Sequence, residues 1–178
     1  ERINYEAEHN ASAFIARTEA AFHRDIRRIA ETIASSTDLC KVIMLAGPSS
    51  SGKTTTAHIL LDALRECGIG SQVISLDNFY KGESDAPLLE NGQHDYESVE
   101  ALNVPLLERC LLDLMETNTC DMPVFDFENH CPHPYTRRIR FGEREIAVVE
   151  GIHALNPAIS RHLPEDGVLK IYISVKQG

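Results

Sequence analysis

The residues best suited to chemistry lie between positions 47 and 54, where a lysine and a threonine end a stretch rich in glycine and serine. The segment is Gly47-Pro48-Ser49-Ser50-Ser51-Gly52-Lys53-Thr54. It fills every fixed position of the pattern G-x-x-x-x-G-K-[ST]. Its glycines let consecutive amides point at phosphate oxygens, Lys53 can reach the β- and γ-phosphates, and Thr54 can bind Mg²⁺. The spacing predicts a loop that binds the phosphates of a nucleoside triphosphate, and we include Thr55 in it.

The segments on either side of the loop have the patterns needed to position it. An apolar run at 42–46 predicts a buried strand, and residues 54–67 carry apolar side chains at helical spacing, with Gly68 placed to end the helix. A helix that begins at the loop directs the positive end of its dipole at the phosphates. The alternative is a serine-rich loop with an unrelated lysine, which does not account for this strand–loop–helix context.

The rest of the chain alternates short apolar runs with a helical pattern. We predict strands at 72–76, 122–125, 146–149 and 168–175, a helix at 102–115, a loop at 81–95 and a polar hairpin at 136–145. This alternation is typical of an α/β fold whose mostly parallel sheet has helices on both faces. We therefore predict the three-layer fold of P-loop nucleotide-binding proteins, with the small polar hairpin over the acceptor site.

Residues 5–35 predict one amphipathic helix before this core. Ile15, Phe22, Ile26, Ile29 and Ile33 recur at spacings that place them on one side. We expect this stripe to pack on the body of the protein or to connect it to an upstream domain. Acidic residues on the same helix argue against a membrane-binding or calmodulin-binding segment. We assign 1–38 to the helix and linker and 39–178 to the P-loop core.

Composition excludes several classes of function. The formal net charge is -10, which argues against a nucleic-acid-binding module. The five cysteines are widely spaced without a CxxC pair, which favours reduced thiols in the cytoplasm. No stretch has the pattern of a membrane span or a signal peptide. Because residue 1 is glutamate, we expect a piece of a longer protein, and we leave open upstream domains and a homo-oligomer.

Two carboxylates follow predicted strands. Glu150 comes directly after the strand at 146–149, and Asp77 comes directly after the strand at 72–76. Ligands of open parallel sheets gather at such carboxyl ends. There, Glu150 can hold Mg²⁺ and Asp77 can orient an acceptor hydroxyl and accept its proton. The alternatives are an exposed glutamate in a turn and an aspartate that caps the following turn.

Five segments in a fixed order also carry a resemblance to a known family. They are GPSSSGKT at 47–54, ISLDNFY at 74–80, HDYES at 94–98, MPVFDF at 122–127 and VVEGIH at 148–153. Together they resemble the uridine kinase (uridine–cytidine kinase) family, which is related to phosphoribulokinase. The resemblance covers about 42–174 and is greatest to bacterial uridine-kinase-like proteins in which this domain follows threonyl-tRNA-synthetase-like segments.

The resemblance implies phosphorylation of a nucleoside 5′-hydroxyl, in uridine or cytidine, with ATP or GTP as donor. It implies that Asp77 is the catalytic base, that Lys53 assists phosphoryl transfer, and that Glu150 serves Mg²⁺ together with Thr54. The implied acceptor pocket consists of Tyr80 in its wall, Asp95 on the ribose hydroxyls, and Phe125, Phe127 and His130 on the base.

Three departures from the family pattern bear on the acceptor. Phe125 replaces a usual tyrosine, residues 129–133 differ from the usual serine- and arginine-containing stretch, and the sequence ends where arginine-bearing lid helices would follow. Such arginines can contribute about 10³-fold to the rate. Two alternatives therefore stay open. One is an ATP-binding regulatory module without an acceptor, and the other is a sugar-phosphate kinase, for which Arg137 and Arg138 are candidate cations.

Other polar clusters are interpreted as structural. His130, Cys131 and His133 lack the spacing of a standard zinc site. The arginines of 136–145 are followed by glutamates in an acidic chain, which favours a solvated hairpin over a nucleic-acid surface. We expect His153 to pack or to form a hydrogen bond and not to act as a catalyst.

Overall fold

Helices and strands alternate along the computed structural model, which describes residues 11–36, 40–49 and 51–174. The helices are α1 (Ala11–Ser35), α2 (Lys53–Glu66), α3 (Val104–Thr117) and α4 (Pro157–Ser160). The strands are β1 (Val42–Ala46), β2 (Gly70–Ser75), β3 (Thr119–Asp126), β4 (Cys131–Arg140), β5 (Glu145–Glu150) and β6 (Val168–Tyr172). Ser50 and the predicted helical residues 5–10 lie outside the described residues, as does the end of the predicted strand at 175.

Four strands form a parallel sheet in the order β2-β5-β1-β6. In this sheet β5 lies between β1 and β2, with Glu150 opposite Leu45 of β1 and Ser75 of β2. Because the strands are parallel, the carboxyl ends of β2, β5 and β1 lie side by side at one edge.

Both faces of the sheet are covered. Val42 and Met44 of β1 face a core that includes side chains of α3, α4 and the β3–β4 pair. Ile43 and Leu45 face a second core that includes side chains of α1 and α2. This arrangement confirms the predicted three-layer α/β fold with helices on both faces.

Helix α3 has an asparagine at each end. The Asn103 side chain accepts a hydrogen bond of 3.2 Å from the Leu106 amide at the start of the helix. At the other end, Asn118 has a φ of 56°, the left-handed conformation that often terminates helices. The helix therefore spans 104–117, two residues later than the 102–115 predicted from its apolar pattern alone.

Only the second half of α1 is buried against the core. Ile26 and Ile33 are 5% and 6% exposed, whereas Ile15 is 53% exposed. Arg27 forms an ion pair with Glu66 of α2. The predicted apolar stripe thus packs on the body along part of its length, and the division of the chain at residue 38 stays a prediction. No helix among the described ranges has both the length and the apolar character required to cross a membrane.

The predicted hairpin at 136–145 is wrong in its position. β4 includes the first half of that range and pairs antiparallel with β3, so that Asp121 lies opposite Arg138. The connecting turn is built by Asp126, whose Oδ1 accepts hydrogen bonds of 2.9 and 3.0 Å from the amides of Glu128 and Asn129. The prediction rested on the polar residues of 136–145, the first half of which lie within β4, and overlooked the ability of Asp126 to form a turn.

Gly151 should not tolerate a side chain. An ideal Cβ there would lie 2.8 Å from the Cβ of Leu76, which is 1% exposed. We expect Gly151→Ala to lower the free energy of unfolding by about 1–3 kcal/mol, because an added methyl group forces buried neighbours apart. Urea denaturation measures this change. Gly142→Ala is the matched control, since its Cβ would lie 3.7 Å from Glu145 Oε2, and equal stabilities of the two variants would contradict the prediction.

Candidate active site

The edge of the sheet brings together the phosphate-loop segment and both carboxylates. β1 leads into the loop, β5 ends at Glu150, and β2 ends two residues before Asp77. Since β5 is the strand between the other two, Glu150 lies between the loop and the segment that carries Asp77. Residues separated by up to about one hundred positions in the sequence are therefore neighbours at one end of the fold.

The phosphate loop is a tight turn that leads directly into helix α2. The amide of Ser51 donates to the carbonyl of Pro48 at 3.2 Å. Gly52 then has a φ of 81° in the left-handed region, and α2 begins at the next residue without a side-chain cap. The first amides of α2 are therefore left for an anion at the helix start.

Gly47 and Ser51 shape the floor of this loop. An ideal Cβ on Gly47 would lie 2.8 Å both from the carbonyl oxygen of Ile173 and from Ser51 Oγ. Ser51 Oγ is buried and has no hydrogen-bond partner among the described residues. A buried hydroxyl without a partner is costly unless a ligand supplies one. A cradle closed to side chains and lined by an unpaired hydroxyl fits a phosphate group.

Lys53 connects the loop with Asp77. Its Nζ donates to the carbonyl of Pro48 at 2.6 Å, which holds the ammonium group at the loop. Burial raises the pKa of Asp77, and the positive charge of Lys53 opposes part of that rise. The cation that can meet the phosphates is thus close enough to act electrostatically on the candidate base.

Thr54 and Glu150 supply the oxygen ligands that Mg²⁺ prefers. Thr54 lies in the exposed first turn of α2. Glu150 is only 9% exposed as a whole residue, and it ends β5 opposite Leu45 of the strand that leads into the loop. A carboxylate at this end of a parallel sheet can bind a cation that accompanies the phosphates. The two residues therefore fit a magnesium ion held between the loop and β5.

Asp77 has the environment expected of a base. It begins a short 3₁₀ turn at Leu76–Phe79, where its amide is 3.4 Å from Ser75 Oγ. Burial raises the pKa of the Asp77 carboxyl, against the opposing effects of Lys53 and the Tyr80 hydroxyl. Burial and the negative charge of Asp77 raise the pKa of Tyr80 to about 12. Tyr80 thus remains protonated at neutral pH and can donate hydrogen bonds.

Aromatic rings form a continuous wall beside Asp77. The Tyr80 ring lies 5.8 Å from Phe125 and 5.7 Å from Tyr96, each edge to face. Phe127 lies 5.2 Å from Phe125, and His130 stacks on Tyr96 at 6.2 Å. The structure therefore brings together all four rings that the resemblance assigns to the acceptor pocket. It adds Tyr96, a residue of the HDYES segment to which the resemblance assigns no role.

Asp95 lies in the loop beside this wall and has a structural task of its own. Its Oδ1 accepts hydrogen bonds of 3.1 Å from the amides of both Glu97 and Ser98. One carboxylate oxygen is therefore engaged in a turn. That Asp95 binds the ribose hydroxyls stays a prediction.

The arginines of β4 differ in their pairing. Arg138 forms two hydrogen bonds of 2.8 Å with the carboxylate of Asp121, which neutralises it. Arg137 has no ion pair among the described residues and lines a cavity of about 470 Å³ together with Asn78 and Tyr135. Of the two candidate cations, Arg137 is thus the one whose charge is not engaged by an acidic side chain.

The phosphate loop follows β1, the first strand of the parallel sheet, and carboxylates lie at or just beyond the ends of β5 and β2. This arrangement defines a P-loop protein of the kinase type. The chain belongs to the Phosphoribulokinase / Uridine kinase family, whose family model matches residues 42–177. Membership of this family implies that the loop binds ATP.

Known relatives agree with this assignment. The chain is 32% identical over 134 residues to uridine kinase from Saccharomyces cerevisiae, a match that covers 74% of this chain and 26% of the relative. It is also 32% identical over 132 residues to uridine kinase from Clostridium botulinum (strain Okra), covering 74% of this chain and 61% of the relative. The chain thus spans less than two thirds of the length of either relative.

A solved structure shows the same fold. It is that of a Bacillus stearothermophilus protein described as a possible uridine kinase, with a TM-score of 0.65 and 22% identity. The match covers 84% of this chain and 79% of that chain.

Removal of the loop lysine should weaken nucleotide binding. We expect Lys53→Ala to lower the affinity for Mg-ATP by about 10- to 100-fold, because hydrogen bonds to charged groups contribute about 1.5–3 kcal/mol. Titration calorimetry measures this loss. Lys41→Ala is the control, since Lys41 precedes the opposite end of β1 and donates to Asn118 Oδ1 at 3.0 Å. Equal affinities of Lys53→Ala and the unmodified protein would contradict the expectation.

Proposed function

We propose that the protein transfers the γ-phosphoryl group of ATP or GTP to the 5′-hydroxyl of uridine or cytidine. The observation that carries the proposal is the position of Asp77. It interacts with Tyr80, which belongs to the aromatic wall, and with the ammonium group of Lys53 in the loop. The rings suit a planar base. Both relatives described above are uridine kinases by name.

The chain's own residues would divide the reaction between them. Asp77 would orient the acceptor hydroxyl and accept its proton as the oxygen forms a bond to the γ-phosphorus. The bond from the γ-phosphorus to the bridging oxygen breaks, and the nucleoside diphosphate leaves with that oxygen. Lys53 and the amides at the start of α2 would stabilise the negative charge on the transferring group.

Thr54 and Glu150 would hold Mg²⁺, which would neutralise negative charge on the phosphates when bound. The position of Glu150 supports this role, because it ends β5 opposite Leu45 of the strand that leads into the phosphate loop. The phosphates of bound ATP and the acceptor would then lie together at the edge of the sheet where β1, β5 and β2 end.

A sugar phosphate is the second candidate acceptor. Arg137 favours it, since this cation has no ion pair among the described residues and lies in a cavity with Asn78, the residue after Asp77. The cytoplasmic location, a homo-oligomer and the threonyl-tRNA-synthetase-like upstream segments stay predictions from the sequence.

A transfer assay separates these acceptors. The full-length protein, supplied with Mg-ATP and a panel of nucleosides and sugar phosphates, should phosphorylate uridine or cytidine at the 5′-hydroxyl, detected by mass spectrometry of the product. Transfer to a sugar phosphate alone would replace the nucleoside with the second candidate. Binding of ATP without transfer to any member of the panel would instead indicate a regulatory nucleotide-binding module.

Asp77 should be needed for turnover but not for nucleotide binding. We expect Asp77→Asn to lower kcat by about 10²-fold or more, because the amide has nearly the same volume but does not accept the proton. Affinity for ATP, measured by calorimetry, should change little. Near-normal kcat would show that Asp77 only caps its turn.

The pH dependence of turnover should reflect the raised pKa of Asp77. A base must be ionised, so kcat should fall as the pH is lowered through a midpoint above the ordinary aspartate value of about 3.9. Tyr80→Phe should move that midpoint to higher pH, because the Tyr80 hydroxyl lowers the pKa of Asp77 when its single hydrogen turns from the Tyr96 carbonyl to the ionised carboxylate. A midpoint that is unchanged or moves to lower pH in Tyr80→Phe would contradict this electrostatic link.

A further inference from the structure

Two ring side chains hold adjacent carbonyls of the loop that carries Asp95. The Tyr80 hydroxyl donates to the carbonyl of Tyr96 at 3.1 Å. His153 Nε2 lies 2.7 Å from the carbonyl oxygen of Glu97. Because a carbonyl oxygen can only accept, Nε2 carries the hydrogen and His153 is the donor. Successive peptide carbonyls are thus fixed from two different parts of the chain.

The two donors have equivalent positions in the sequence. Tyr80 follows Asp77 by three residues, and His153 follows Glu150 by three residues. Each carboxylate lies at or just beyond the end of a strand, β2 for Asp77 and β5 for Glu150. Each strand end therefore supplies one candidate catalytic carboxylate and one hydrogen bond to the same loop.

The hydrogen bond from His153 completes the fixation of Glu97. The amide of Glu97 already donates to Asp95 Oδ1 at 3.1 Å, and its carbonyl accepts from His153. The backbone of this residue is thus held at both of its polar groups. The peptide group that His153 holds also includes the amide of Ser98, which donates to Asp95 Oδ1 at 3.1 Å. The orientation of the Asp95 carboxylate therefore depends on the position of this peptide group.

We propose that His153 is a positioning residue for the acceptor, one that holds Asp95 and the Tyr96 ring at a fixed position relative to the end of β5. The proposal rests on the proposed function for its catalytic readout. It gives His153 a task distinct from catalysis, because His153 touches the loop backbone and acts on the acceptor through Asp95. It also links the acceptor pocket to the strand whose last residue is Glu150.

The test compares two substitutions of His153. His153→Leu removes the donor, and we expect KM for the nucleoside to rise about three- to tenfold, in line with the loss of one hydrogen bond. His153→Gln retains an amide donor near the position of Nε2 and should restore KM to within about twofold of the original value. KM for ATP should be unchanged in both variants, because the hydrogen bonds described for His153 and Glu97 do not involve the phosphate loop.

A matched control is available in His162. Its Nδ1 lies 2.9 Å from Glu108 Oε1 on α3, so that His162→Leu removes a histidine hydrogen bond without touching the acceptor loop. We expect His162→Leu to leave KM for the nucleoside unchanged. An equal rise of KM in His162→Leu and His153→Leu, or no rescue by His153→Gln, would overturn the proposal.

Amide hydrogen exchange gives a readout that does not depend on activity. His153→Leu should speed exchange at the amides of Glu97 and Ser98, which donate to Asp95, while the core strands keep their protection. His153→Gln should retain slow exchange there. If no nucleoside is phosphorylated by the unmodified protein, the proposed function fails, and exchange still decides whether His153 holds the loop. Unchanged exchange in His153→Leu would overturn the proposal in either case.

Discussion

The parallel pairing of β5 with β1 on one side and β2 on the other is the constraint on which the site depends. It fixes Glu150 opposite Leu45 and Ser75, and hence between the phosphate loop and Asp77. Apolar residues on both faces of β5 enforce this register, since Ile146 and Val148 face one core and Ala147 and Val149 the other. A slip of one residue would exchange the two faces and carry Glu150 out of place.

Electrostatics explain how an acidic chain can attract a polyanion. The net charge of -10 opposes phosphate binding over the surface as a whole. Arg27 and Arg138 are paired with carboxylates, so that part of the positive charge of the surface is already neutralised. We expect the attraction to come chiefly from the Lys53 ammonium and from the main-chain amides at the start of α2. Such a local source favours binding at one site over binding elsewhere on the protein.

Features that depend on neighbours in sequence could be predicted, and features that depend on distant contacts could not. The buried strand before Gly47 and the helix after Gly52 follow from continuous patterns, and the register of a parallel sheet then places Glu150 and Asp77 at one edge. The hairpin was misplaced because its turn depends on the side chain of Asp126. The hydrogen bond between His153 and Glu97 joins residues 56 positions apart, for which no local pattern gives a signal.

Strand β6 has a consequence for handling the protein in solution. Within the described residues it pairs with β1 on one side only and forms an edge of the sheet, with Tyr172 62% exposed. The free amides and carbonyls of such an edge can recruit a strand from another molecule and begin aggregation. Lys170 lies in the middle of β6 and is exposed. Its charge opposes pairing of one edge with another, so that this lysine helps to protect the edge strand against self-association.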